Sequence, residues 1–141
     1  MTLGEPVVRI KRRHFMKGAP IAYAVIYLPR DLGKRFTINQ VSRTPIYTLL
    51  TEKAHVEIKR ANQVVRAIGA DQEVAKLLKL PHGAPVMMVE RVTYSGEEKP
   101  VEYILFFYRG DSYELTAELH RDPTKNILRQ QDNLGRFAPD T

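Results

Sequence analysis

An α+β architecture, a mainly antiparallel sheet with flanking helices, follows from how apolar residues are spaced along this chain of 141 residues. Period-two alternation returns in successive segments that are separated by turn residues rather than by long crossovers. Helical spacing is confined to two short stretches inserted between those segments, which is not the βαβ alternation of a parallel sheet.

From Val7 to His14 the alternation sets Val8, Ile10, Arg12 and His14 on one strand face and Val7, Arg9, Lys11 and Arg13 on the other. Residues 15–20 supply a turn, and Ile21 to Leu28 returns as a Tyr- and Val-rich strand closed by Pro29, so the pair reads as a β-hairpin. Arg30 to Arg43 is polar without a clear period and reads as a loop. Thr44-Pro45 then opens a short helix from Ile46 to about Lys53, because proline suits a first helical turn. His55 to Gly69 fits a strand with exposed faces better than a helix. Asp71 caps a helix from Gln72 to Leu80, with Val74, Leu77 and Leu78 on one side. Val86 to Tyr94 and Pro100 to Tyr108 are β-rich runs joined by residues 95–99 and should pair antiparallel. The second is apolar on both faces apart from Glu102, which makes it the expected central strand. A last strand is expected from about Ser112 to Leu119, followed by a polar tail, 120–141, that frays or packs only with help. Gly83 and Gly110 read as positive-φ turn positions, with Asp111 bonding nearby backbone amides.

Composition narrows the function. The hydrophobic fraction of 43% and charged fraction of 27% are those of a soluble globular domain. No apolar run approaches the roughly 20 residues that cross a bilayer, and the N-terminus lacks a signal-peptide stretch, so the expected location is the cytoplasm with no membrane partner. Without cysteine, and with four histidines at no ligand spacing, neither a metal site nor a cofactor is expected. The net charge of +6 sits entirely in residues 1–35, which hold eight Lys/Arg against Glu5 and Asp31, while residues 36–141 hold fourteen of each sign. That stretch alternates with apolar residues on a strand and offers no recognition helix, so duplex DNA binding by these residues themselves is not expected. Phosphate loops, a nucleophile elbow and closely paired carboxylates are missing, which leaves catalysis without a motif.

The polar residues on apolar faces are the candidates. Arg12 and His14 share a face with Val8 and Ile10, where an unpaired cation is costly. Arg12 either grips an anionic ligand or forms a fold-internal ion pair with Glu102 or Glu90. Glu102 either accepts hydrogen bonds from a ligand or pairs with an arginine. Tyr108 lies on the same face, six residues along. Tyr47, on the short helix, packs or contacts the same ligand.

The segments RRHFMKGAPIAYAVIYLP (12–29), APVMMVERVTY (84–94), PVE (100–102) and YRGDSY (108–113) occur in an order and spacing that resembles the UTRA domain, the effector-binding half of HutC-type GntR transcription regulators. The resemblance covers residues 5–119. It implies a chorismate-lyase-like fold, a homodimer, a pocket for a small anionic effector, and DNA contact only through an N-terminal winged helix-turn-helix domain for which this chain has no room. In members that bind amino-sugar phosphates, two first-strand arginines hold the phosphate; Arg12 matches the first, and His14 takes the place of the second. Tyr47, Glu102 and Tyr108 match further ligand-contacting positions. Ala24 stands where those members have a glutamate and Pro45 where they have a serine, so a smaller or more apolar acid fits better than a sugar phosphate. Arg91 and Arg109–Asp111 match the pattern and are expected to be scaffold, as ion pairs and turn closure. The competing expectation is a chorismate-lyase-like enzyme in which Arg12 and Glu102 line the cavity.

Overall fold

A computed structural model describes residues 4–125 and the backbone of two later strands, Ile127–Gln130 and Arg136–Ala138. Strands β1 (Val7–Met16) and β2 (Ala19–Pro29) form the expected hairpin. The turn between them is tighter than the sequence suggested, because Lys17 and Gly18 both take positive φ and join the strands in two residues. The register shifts at a bulge between His14 and Phe15.

The segment read as a loop, 30–43, instead holds two short helices, α1 (Arg30–Gly33) and α2 (Ile38–Arg43). The local cause is a capping box: Gln40 N donates to Thr37 Oγ1 at 3.1 Å and Thr37 N donates to Gln40 Oε1 at 2.8 Å. Gly33 lets α1 lie against β1, since a Cβ there would stand 2.6 Å from Val8 Cβ. Leu32, Phe36 and Val41 from this segment pack on the core, and the change of axis between the two helices scatters them out of any single period. Helix α3 (Ile46–Thr48) runs into a π-helical turn, Leu49–Lys53, within the predicted bounds.

Strand β3 (Ile58–Gly69), helix α4 (Gln72–Leu78) and strands β4 (Pro85–Ser95) and β5 (Pro100–Arg109) follow as expected. Asp71 Oδ1 accepts from Val74 N at 2.8 Å, and left-handed Lys79 ends α4 two residues before the predicted Leu80. The sheet order is β1-β2-β5-β4-β3, all neighbours antiparallel, with β5 in the centre.

The expected strand over 112–119 is replaced by β6 (Glu114–Thr116) and β7 (Leu119–Asp122). They belong to separate two-stranded sheets, β6 with β9 (Arg136–Ala138) and β7 with β8 (Ile127–Gln130). Leu115 and Leu119 are exposed, so no core aligns this segment as one strand, and its partners come from downstream. The tail read as frayed therefore contributes strands, and β7 spans the boundary placed between residues 119 and 120. Residues 123–125 turn between β7 and β8, and residues 126, 131–135 and 139–141 lie outside the described residues.

Registers divide the sheet into two faces. One gathers Val8, Ile10, Arg12 and His14 of β1; Ala22, Ala24, Ile26 and Leu28 of β2; and Glu102, Ile104, Phe106 and Tyr108 of β5. Met87, Val89, Arg91 and Thr93 of β4 complete it, with Gln63 and Val65 of β3. Ile46, Leu49 and Leu50 cover its Ile26/Leu28/Ile104 end. Helix α4 covers part of the opposite face, against Tyr23 and Val86.

Candidate functional site

Antiparallel register sorts the inward polar residues into rows across the helix-covered face. Arg12 is level with Ala24 and Phe106, and His14 with Ala22 and Tyr108. Arg12, His14, Phe106 and Tyr108 therefore flank two alanines. Ala24 is sealed by α3 and the following turn, Ala22 by Tyr108 and Tyr113. Phe106 and Tyr108 stack at 5.4 Å between ring centroids, and Tyr108 meets Tyr113 at 4.3 Å.

Arg12 is half-buried, and burial pulls its guanidinium below its ordinary pKa. Among the described residues it makes no ion pair. Its hydrogen bond is a long one, Nη1 donating to Thr44 O at 3.5 Å, which ties β1 to the segment leading into α3. His14 is likewise lowered, first by burial and then by the charge of Arg12, so it is neutral at pH 7.

Neither proposed ion pair forms. Glu90 lies on the opposite face, where the Tyr103 hydroxyl donates to it and Arg66 approaches at 3.7 Å; burial and that carboxylate push Tyr103 up to about 12. Glu102 faces the same way as Arg12 but stands four residues along β5 from Phe106, about 13 Å at the usual rise per residue. There it accepts a hydrogen bond from Thr93 Oγ1 at 3.0 Å. Glu102 is only 5% exposed, and burial raises its carboxyl above the ordinary range, with the Thr93 bond and the Arg91 charge pulling the other way. Tyr47 is 59% exposed on α3, three residues after Thr44. The structure thus brings Arg12, His14 and Tyr108 together and leaves Glu102 and Tyr47 at the margins.

Arg91 holds the fold as expected, but not through an ion pair among the described residues: its Nε donates to Gln63 Oε1 at 2.9 Å and its guanidinium lies 5.4 Å from the centroid of Phe106. Its inward placement could have been read from the alternation of Val89, Arg91 and Thr93, the same signal that singled out Arg12. Arg109 does pair with Asp111, Nε to Oδ1 at 2.9 Å and Nη2 to Oδ2 at 2.8 Å, while Nη1 donates to Leu78 O at 3.0 Å. Asp111 thus binds this guanidinium more than nearby amides, and its carboxyl falls to about 2. Gly83 has the expected positive φ. Gly110 does not need one; a Cβ there would stand 2.7 Å from Pro85 O.

An open cleft of about 230 Å³ lies on the other side of β1, lined by Lys11, Arg13, Tyr23, Glu73 and Leu77 together with Arg12. Among the described residues no cluster of His, Asp and Glu has the makings of a metal site, and no helix is long and apolar enough to cross a membrane.

The fold is shared with solved ligand-binding domains of transcription regulators. One, described as the ligand-binding domain of a GntR-family transcriptional regulator from Bordetella bronchiseptica, superposes with a TM-score of 0.76 at 30% identity, covering 85% of this chain and 75% of that one. The UTRA domain matches residues 1–114, and the chain belongs to that family. It is 31% identical over 124 residues to the HTH-type transcriptional regulator Rv0792c of Mycobacterium tuberculosis, covering 85% of this chain and 46% of that protein. It is 26% identical over 113 residues to the HTH-type transcriptional repressor NagR of Bacillus subtilis, covering 80% and 46%. The chain spans about half the length of these two regulators. These relatives are regulators of transcription, which supports the effector-binding reading over the chorismate-lyase-like enzyme.

Proposed function

We propose that this domain senses a small anionic metabolite on the helix-covered face and passes the binding event to DNA through a winged helix-turn-helix domain, acting as a homodimer in the cytoplasm. Arg12 anchors the anion, His14 and Tyr108 donate beside it, and Glu102 and Tyr47 bound the site from the β5 and α3 sides. The observation that carries this reading is Arg12 itself: a half-buried guanidinium, disfavoured by its surroundings, with no carboxylate among the described residues to neutralise it. With alanine at position 24 and proline at 45, the guest is a compact or partly apolar acid. Effector binding changes operator affinity only if the ligand prefers one arrangement of the paired DNA-binding heads.

A thermal-shift screen of metabolite acids tests the site, repeated on Arg12→Ala and Glu102→Ala. A true effector stabilises the unmodified domain and loses that effect in at least one variant that still folds. Equal shifts in all three proteins would remove these residues from the site.

A further inference from the structure

Two arginines enter the helix-covered face from opposite sides of Phe106. Arg12 is level with that residue across Ala24; Arg91 lies on its other side, two residues along β4 from Val89, which pairs with Phe106. Three strand spacings, about 14 Å, separate the two backbones, and the aromatic ring stands in the interval. Neither guanidinium is saturated. Arg12 uses Nη1, in the long bond to Thr44 O, and Arg91 uses Nε, in the bond to Gln63 Oε1. Among the described residues neither has a carboxylate partner, and both Nη groups of Arg91 are without a hydrogen bond. The Gln63 amide fixes that fork without neutralising it. Glu102 does not neutralise it either: it accepts from Thr93 Oγ1, and burial favours its uncharged form against the pull of Arg91. The residues between the two cations, Ala24, Phe106 and Val89, are apolar, and Phe106 is only partly covered.

We propose that the effector is a dicarboxylic acid, one carboxylate held by Arg12 and the other by Arg91, with its hydrocarbon linker lying over Phe106. The inference rests on the anion site assigned to Arg12 and adds its second contact. An open guanidinium fork matches a carboxylate through two parallel hydrogen bonds, and this face presents two such forks with an apolar surface between them. An acid with one charge at Arg12 leaves Arg91 unanswered, and a phosphate gathers its charge at one end and does the same. A diacid answers both cations and places its methylene groups against the ring, where apolar contact is favourable. Because Gln63 and Thr44 restrain the two arginines, the length of the linker is selected as well as the charge at each end.

Titration calorimetry on the whole chain tests it with succinate, glutarate, adipate and pimelate, each beside its half-amide, in which one carboxylate becomes an uncharged carboxamide of the same shape. The expected result is an optimum length at which the diacid binds about tenfold or more tightly than its half-amide. Arg91→Ala should bring that diacid down to the level of the half-amide, whose own affinity, with no second charge to lose, falls far less. Arg91→Lys keeps a cation without the fork and should restore part of the preference. A variant that merely loosened the sheet would weaken both ligands together, so the ratio of the two affinities separates lost contact from lost fold. Equal affinity of diacid and half-amide at every length, or a preference that survives Arg91→Ala, overturns the proposal while leaving Arg12 as the anion anchor. A series in which no diacid binds overturns it too, and binding that is indifferent to Arg12→Ala removes the anchor along with it.

Discussion

Replacing Glu102 by glutamine should stabilise the domain at neutral pH. The carboxylate is almost fully buried, and the hydrogen bond it accepts among the described residues comes from one neutral hydroxyl, that of Thr93. Burial raises its folded pKa above the ordinary value of 4.5, so the folded chain holds a proton that the unfolded chain has released. Its favourable contribution is complete below that ordinary value and disappears as pH rises through the folded pKa. Glutamine keeps an acceptor for Thr93 and removes the buried charge. A buried, under-satisfied polar group costs about 1–3 kcal/mol. At about 4 °C per kcal/mol for a chain of this size, the variant should melt about 4–12 °C higher at pH 7. Scanning calorimetry from pH 4 to 8 should show the gap between the proteins closing in acid. A glutamine variant that melts lower at pH 7, with a gap that persists in acid, would mean that the carboxylate is held by a cation after all, and would refute this account of Glu102.

Three further outcomes follow from other positions. An anion seated between Arg12 and His14 favours the imidazolium form that burial and Arg12 now disfavour, so effector affinity measured by calorimetry should rise as pH falls below neutrality, and His14→Ala should flatten that dependence. Asp111, held at about 2 by Arg109, contributes stability that is present above the ordinary value of 3.8 and lost as pH falls through the folded value; because its side chain is 63% exposed, screening limits this to about 1 kcal/mol, and Asp111→Asn should abolish it in acid melts. Gly110→Ala drives a Cβ into Pro85 O and should lower stability in urea melts by about 1–3 kcal/mol, far more than alanine at the exposed Thr116.

Alternation alone located most of the sheet, because β1, β2, β4 and β5 each set apolar side chains on a buried face. The capping box at Thr37 and Gln40 was equally present in the sequence, but the surrounding polar residues masked it and α2 was read as loop. The strand expected over 112–119 failed for a different reason: Leu115 and Leu119 have no core to face, and their segment is organised by partners further down the chain. For the site, period two assigns a residue to a face without assigning it to a row. It put Arg12, His14, Glu102 and Tyr108 on one side of the sheet, but only the pairing register shows that His14 is level with Tyr108 and that Glu102 stands beyond Ile104. Arg91 carried the same inward signal as Arg12 and was expected to serve the scaffold through an ion pair; the contacts to Gln63 and Phe106 by which it does so depend on β3 and β5 lying beside β4, which no local pattern encodes.

The most direct test of anion sensing at Arg12 is a two-dimensional NMR titration with an acid that stabilises the domain. The largest shift changes should fall on Arg12, His14, Ala22, Ala24 and Tyr108, and Arg12→Ala should abolish them. Changes confined to Lys11, Arg13 and Glu73, in the cleft beside α4, would place the ligand on the wrong side of the sheet and contradict the account.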